Sequence, residues 1–162
     1  MDKGFYTVRG YSLKNDNPLT PSMEDYLEMV YRLSLENKKV RIKDLSEKLN
    51  VKASSCTKII QKMAVDDFVL YEKYGHIQLT TKGKTYGQYL LQRHKVVEKF
   101  LYNIGIKEKE QLLKDTELIE HNISEDLLYY INNLNNFFEK NPQIITGFLA
   151  FIEDQKHTSL ST

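Results

Sequence analysis

The chain has 162 residues and a formal net charge of +1, and 41% of its residues are hydrophobic. That length is enough for one ordinary domain or for two small ones that share a core. The single cysteine, Cys56, excludes an intramolecular disulfide framework and favours a reducing compartment. Because there is neither a signal peptide pattern nor an apolar stretch long enough for a bilayer, we expect a cytoplasmic protein without membrane contact.

Charge is distributed unevenly along the chain. Residues 38–63 hold eight Lys and Arg against two acids, whereas residues 107–162 hold five Lys against ten acids. The first segment suits a polyanion such as nucleic acid, and the second is rich in groups that attract cations. The sequence therefore predicts different roles for the two parts.

The first predicted helix follows an N-terminal arm, residues 1–19, that has no sustained periodicity. Thr20 is a good N-cap, and Pro21 fits the first helical position because its missing N–H is not needed there. Apolar residues then recur at helical spacing as far as Leu33, and residues 35–39 carry a polar break. We expect a helix that begins at residue 21 and ends at this break.

Two short helices are predicted next, over residues 40–49 and 53–66, with a tight turn between them. Asn50 lies where a left-handed residue would end the first of these helices. This pattern is typical of a helix-turn-helix, whose second helix contacts DNA. Small polar and basic side chains lie at its exposed edge and suit phosphate and base contacts, although they are also compatible with an ordinary solvated surface. The candidate DNA-binding residues are Lys52, Ser54, Ser55, Thr57, Lys58 and Lys62.

Residues 68–80 predict two short strands around Gly75, which would form a wing. A turn at 81–83 is expected to precede a long helix over 84–103, closed by Gly105. Further helices are predicted over 107–123 and 124–140, followed by a break at 141–142 and an apolar segment at 144–152. The expected fold is mainly α, with a winged helix-turn-helix domain at 20–83 and a helical domain at 84–162.

Six side chains of the kinds that bind hard metal ions lie in three separate places: Asp25, Glu28, His94, Glu117, Glu120 and His121. The last three occupy positions i, i+3 and i+4, which lie on one helix face. Blander interpretations remain open at this point. Asp25 and Glu28 could be solvated acids at a helix N-terminus, and His94 could be a surface residue.

Several blocks of the sequence carry a resemblance to a known family. They are TPSMEDYLE (residues 20–28), SSCTK (54–58), LYEKY (70–74), LTTKG (79–83), RH (93–94) and IEH (119–121). With these blocks the chain resembles the metal-dependent transcriptional repressors typified by the diphtheria toxin repressor. Within that family it is most similar to the manganese transport regulator type.

The resemblance implies a winged helix-turn-helix DNA-binding domain followed by a helical dimerisation and metal-binding domain. It also implies that all six residues named above are metal ligands, with two ions per subunit, and that a homodimer binds a near-palindromic operator in double-stranded DNA. Carboxylates at 25 and 117, in place of the soft Met and Cys of iron-responsive members, favour Mn²⁺, although Fe²⁺ or Zn²⁺ could also bind. The expected function is a manganese-activated repressor of metal uptake genes.

The sequence leaves three alternatives to this function open. An iron-responsive repressor of the same family and a metal-independent winged-helix DNA-binding protein both retain DNA as the partner. A di-metal hydrolase could use a similar set of carboxylates and histidines. Since the sequence offers no further catalytic motif, we expect neither an enzyme nor a small organic substrate.

Overall fold

The computed structural model describes residues 19–36, 39–72 and 75–159, without the side chains of 156–159. The predicted N-terminal arm therefore lies outside the described residues, apart from Leu19, which is buried. The chain forms two compact units, of which unit 1 ends at Leu91 and unit 2 begins at Gln92. The domain boundary expected at residues 83 and 84 remains a prediction.

The described residues form helices and one small sheet, as the expected mainly α class requires. No helix among them is long and apolar enough to cross a membrane. In chain order the elements are α1 (Pro21–Leu35), α2 (Ile42–Lys48), α3 (Ala53–Val65), β1 (Val69–Tyr71), β2 (Ile77–Leu79), α4 (Thr81–Asn103), α5 (Lys109–Glu120), α6 (Glu125–Lys140) and α7 (Pro142–Ser159).

Helix α1 begins as the sequence predicts. The Thr20 hydroxyl accepts a hydrogen bond from the Met23 backbone N–H at 3.3 Å, and Pro21 occupies the first turn. One face of α1 supplies much of the core of unit 1, where it packs with residues from α2, α3 and the wing. The buried apolar residues of this face are Met23, Tyr26, Leu27, Val30 and Leu33.

The helix-turn-helix is present, with one difference from the expected bounds. Val40 was predicted to be helical, but its extended backbone instead pairs with Ile77 in an isolated bridge, and its carbonyl accepts from the Ile77 N–H at 2.8 Å. A β-branched residue suits this extended position, where its side chain is buried. Asn50 has a φ of 51°, which confirms the left-handed turn between α2 and α3.

The wing is an antiparallel pair in which Val69 is opposite Leu79. The turn expected at 81–83 was wrong, because α4 starts at Thr81. Thr80 caps it, and its hydroxyl accepts from the Gly83 N–H at 3.0 Å. A Cβ at Gly83 would overlap the carbonyl oxygen of Phe68, so only glycine allows the wing to pack this closely on the first turn of α4.

Unit 2 consists of helices and the short loops that connect them in its described residues. Gly105, with a φ of 111°, follows α4. Helix α5 is shorter than predicted, because the Glu108 carboxylate caps it at the N-terminus and accepts from the Gln111 N–H at 2.6 Å. Ser124 caps α6 as expected. Val97, Leu101 and Leu112 form the buried apolar cluster between α4 and α5.

Asn135 is a polar residue at the centre of unit 2. It is 1% exposed, and its amide Nδ2 donates to the Val96 carbonyl at 2.9 Å. Its Oδ1 accepts from Asn103 Nδ2 at 3.1 Å. Because a buried amide is costly unless it is hydrogen-bonded, these two contacts fix the position of α6 along α4.

Gly83→Ala is expected to destabilise the protein by about 1 to 3 kcal/mol, the usual cost of overpacking, since the added methyl meets backbone rather than a flexible side chain. Gly147→Ala is the matched control. It lies in α7 with nothing near its missing Cβ, so alanine should stabilise by about 0.5 to 1 kcal/mol. Urea unfolding of both variants measures the difference, and equal effects would contradict this account of Gly83.

Cys56 packs as the predicted buried hydrophobe in α3, and burial raises the pKa of its thiol to about 11. Between pH 9 and 11 the unfolded chain loses the thiol proton before the folded protein does. Stability should therefore be intact below the ordinary pKa of 9.0 and fall as pH rises through this window. Unfolding curves of wild type and Cys56→Ala check this, and parallel pH profiles for the two proteins would contradict it.

Candidate functional site

Four of the six predicted metal ligands belong to unit 2, where α4 and α5 bring them together. His94 Nδ1 on α4 lies 3.0 Å from Glu120 Oε2 and 3.6 Å from Glu117 Oε1 on α5. His121 follows directly after α5, with its Nε2 3.8 Å from Glu120 Oε1. These pairs of carboxylate and imidazole atoms, 3.0 to 3.8 Å apart, are of the kinds that bind divalent cations.

Burial distinguishes the members of this cluster. Glu120 is 1% exposed and His94 is 4% exposed, whereas the Glu117 side chain is 47% exposed. Glu120 Oε2 is buried, and although His94 Nδ1 lies 3.0 Å away, no group in the described part of the chain has the geometry to donate a hydrogen bond to it. A buried ionised carboxylate needs a proton or a cation to compensate its lost hydration. The cluster therefore fits a divalent metal ion in both charge and donor chemistry.

The other two predicted ligands lie on α1 in unit 1. Asp25 is half-buried and Glu28 is 6% exposed, and the Arg32 Nε donates to Glu28 Oε1 at 2.8 Å. The open alternatives of a solvated acid at Glu28 and a surface histidine at His94 are thus wrong. Glu28 lies seven residues beyond Pro21, inside the helix rather than in its first turn.

Sequence reasoning missed three buried or paired charges near the predicted ligands. Glu24 is 3% exposed, although its sequence position suggested only a favourable interaction with the helix dipole. Arg32 follows Glu28 at i+4, a spacing that does predict a salt bridge. Arg93 is 4% exposed, and its Nη2 lies 3.2 Å from His121 Nδ1. Nothing in the local sequence predicts that last contact, because the two residues are 28 positions apart.

The candidate DNA-binding residues lie at the start and along one side of α3. Five of them are exposed, whereas Thr57 is half-buried and its hydroxyl donates to the Ala53 carbonyl at 2.9 Å. The opposite side of α3 contributes Ile60 and Met63 to the core. The helix is therefore held by its apolar side and leaves hydroxyl and ammonium groups available. The exposed residues are Lys52, Ser54, Ser55, Lys58 and Lys62.

Two family models together match most of the chain. Residues 18–77 match the N-terminal DNA binding domain of the iron dependent repressor. Residues 80–147 match the metal binding and dimerisation domain of the same family. The predicted ligands in unit 2 fall within the second match, and the basic side of α3 falls within the first.

Curated relatives agree with these matches. The chain is 44% identical over 140 residues to the HTH-type transcriptional regulator MntR of Bacillus pumilus, which covers 86% of this chain and 96% of the relative. It is 44% identical over 121 residues to the protein of the same name from Bacillus subtilis, covering 75% of this chain and 84% of the relative. The similarity thus extends over nearly the whole of these relatives.

Solved structures share the fold. The manganese regulator SloR matches 74% of this chain at 29% identity with a TM-score of 0.63, and the metal-dependent transcriptional regulator MtsR matches 74% at 25% identity with a TM-score of 0.66. In both cases the match spans 55% of the longer chain. On its sequence and its architecture, the chain belongs to the iron dependent repressor family and is a metal-dependent, DNA-binding transcriptional regulator.

Proposed function

We propose that this protein is a manganese-activated repressor of metal uptake genes that acts in the cytoplasm as a homodimer. The observation that carries the proposal is the buried pair of Glu120 and His94 in a unit that matches a metal binding domain. The manganese regulator SloR, whose fold this chain shares, supports the choice of metal. Iron-responsive repression is the alternative within the family.

Two ions per subunit are proposed, held by four carboxylates and two imidazoles. Oxygen-rich sets of this kind suit Mn²⁺, and the chain's single thiol is buried in the core of unit 1 with its pKa raised to about 11. Fe²⁺ or Zn²⁺ could bind the same atoms, since affinity generally rises from Mn²⁺ towards Cu²⁺. The proposed ligands are Asp25, Glu28, His94, Glu117, Glu120 and His121.

Coupling to DNA follows from where these ligands lie in the chain. Asp25 and Glu28 belong to α1, which shares its core with the recognition helix α3, whereas the other four ligands belong to unit 2. A bound divalent cation supplies the positive charge that lets all of these groups converge. The six residues would then restrict the DNA-binding unit to its binding-competent position. A coupling of about 1 to 3 kcal/mol, or 5- to 150-fold in DNA affinity, is the usual scale.

Dimerisation is the other half of the proposal. Several large apolar residues of α6 are substantially exposed in the single chain. An exposed apolar surface of this kind marks an interaction site. A two-fold dimer that presents two copies of α3 would bind a near-palindromic operator. The exposed residues of α6 include Leu127, Tyr130, Leu134 and Phe137.

The test replaces Glu28 by Gln, which keeps the side-chain shape but removes the charge. The probe is a DNA duplex selected from a random pool by the wild-type protein with saturating manganese chloride. Fluorescence anisotropy is then measured with manganese chloride and with chelator. We expect Glu28→Gln to lose most of the manganese-dependent gain in affinity while its weak binding in chelator is retained.

Glu110→Gln is the matched control, because it removes an exposed carboxylate from α5, the helix that carries Glu117 and Glu120. It should respond to manganese as the wild type does. A full manganese response in Glu28→Gln would contradict the ligand set. Strong DNA binding by the wild type in chelator would instead indicate a metal-independent winged-helix protein.

The DNA surface has its own test. Lys58→Ala and Lys62→Ala should each weaken operator binding and reduce the salt slope by about 0.9 for each lost phosphate contact. Manganese binding, measured by calorimetry, should be unchanged. Lys114→Ala, an exposed lysine of α5, is the control. If DNA affinity were unaffected at every salt concentration, the binding face would lie elsewhere.

A further inference from the structure

Arg93 and His121 form a contact within unit 2 that constrains the chemistry of the histidine. The Arg93 Nη2 lies 3.2 Å from His121 Nδ1, and Arg93 is 4% exposed. A guanidinium has five donors and no acceptor, and it stays charged at any ordinary pH. His121 Nδ1 must therefore accept, which means that it carries no proton. In the neutral imidazole the proton then lies on Nε2.

While the Arg93 contact is made, neither ring nitrogen of neutral His121 offers a free lone pair to a metal ion. A ligating imidazole nitrogen must offer a lone pair, and the other nitrogen normally keeps its proton. Here the lone pair of Nδ1 faces the Arg93 guanidinium, and Nε2 is protonated. Binding through Nδ1 requires Arg93 to leave, whereas binding through Nε2 requires the proton to move to Nδ1, where an arginine cannot accept it.

We propose that Arg93 competes with the metal ion for His121 and so sets the concentration at which the regulator responds. The inference rests on the proposed role of His121 as a ligand, and it adds a residue that opposes that role. In the metal-free protein Arg93 holds His121 in its non-ligating tautomer. His121 joins the metal site only after Arg93 has released it.

The Arg32 contact to Glu28 shows that this effect is not general to arginines near ligands. A carboxylate has two oxygens with about four lone-pair sites, and Arg32 donates to Oε1 of Glu28. A carboxylate can therefore accept from an arginine and still offer lone pairs to a cation. Arg32 orients its partner, whereas Arg93 occupies the one lone pair that neutral His121 has.

The first experiment needs no metal and no variant of Arg93. Nitrogen-15 spectra of histidine-labelled, metal-free wild-type protein report which ring nitrogen is protonated, and His121→Gln assigns the signal among the four histidines. We expect an unprotonated Nδ1 and a protonated Nε2 at neutral pH. A proton on Nδ1 would overturn the proposal, whatever the metal affinity of the protein.

The second experiment measures manganese binding by calorimetry and by electron paramagnetic resonance. Arg93→Met keeps the buried aliphatic stem but removes the donors, so binding to the ion that His121 serves should tighten by about tenfold, the scale of one charged hydrogen bond. Lys95→Met is the matched control, because it removes an exposed positive charge two residues away on α4. Unchanged or weaker binding in Arg93→Met would overturn the proposal.

Two further readouts separate the remaining explanations. If Arg93 acted only through its charge, Arg93→Met would tighten binding but leave the His121 tautomer as in wild type, which would overturn the hydrogen-bond mechanism. If Arg93→Met failed to fold, Arg93→Lys retains the charge with a different donor geometry and is compared in both measurements. A failure of the proposed function would look different. The wild-type protein would then bind no manganese, whereas the tautomer of His121 in the metal-free protein would still test the contact with Arg93.

Discussion

Burial of the Glu120 carboxylate is the constraint on which the arrangement of unit 2 depends. Moving an isolated carboxylate into an apolar interior costs far more than a domain's net stability of about 5 to 15 kcal/mol, so a compensating proton or cation is required. The apolar contacts of Val97, Leu101 and Leu112 hold α4 against α5, the helix that ends at Glu120. His94, 3.0 Å away, is held by the same packing. The fold therefore requires a proton or a cation beside the Glu120 carboxylate.

Polar contacts elsewhere in unit 2 hold α6 in a fixed position on α4, the helix that carries His94. Asn135 connects α6 to α4 through the Val96 carbonyl, two residues beyond His94, and the Lys99 ammonium pairs with Glu139 of α6 at 2.5 Å. The exposed ion pair contributes little to stability, but the buried amide is specific, because any shift of α6 would leave it without partners. A ligand held to within a fraction of an ångström is what selective metal binding requires.

The sequence predicted the helices of both units and the wing, because caps such as Thr20 and Ser124 and the helical spacing of apolar residues are local signals. It was wrong at Val40 and at the turn before α4, where tertiary pairing with Ile77 and close packing on Phe68 override local pattern. The same limit applies to the site. Ligand-type residues can be recognised from the motifs. The contact of Arg93 with His121 joins residues 28 positions apart, and no local pattern predicts it.

Under the proposed function, a preference for manganese could not come from affinity alone. Nitrogen and oxygen ligands bind Zn²⁺ more tightly than Mn²⁺, so preference for manganese has to come from coordination number and geometry. Mn²⁺ prefers many hard ligands, whereas four donors satisfy Zn²⁺. With the proposed ligand set, a gain in DNA affinity that requires His121 would favour Mn²⁺, the ion that uses more of the available donors, over Zn²⁺. If Arg93 competes for His121 as proposed, it would sharpen the distinction between an ion that needs this ligand and one that does not.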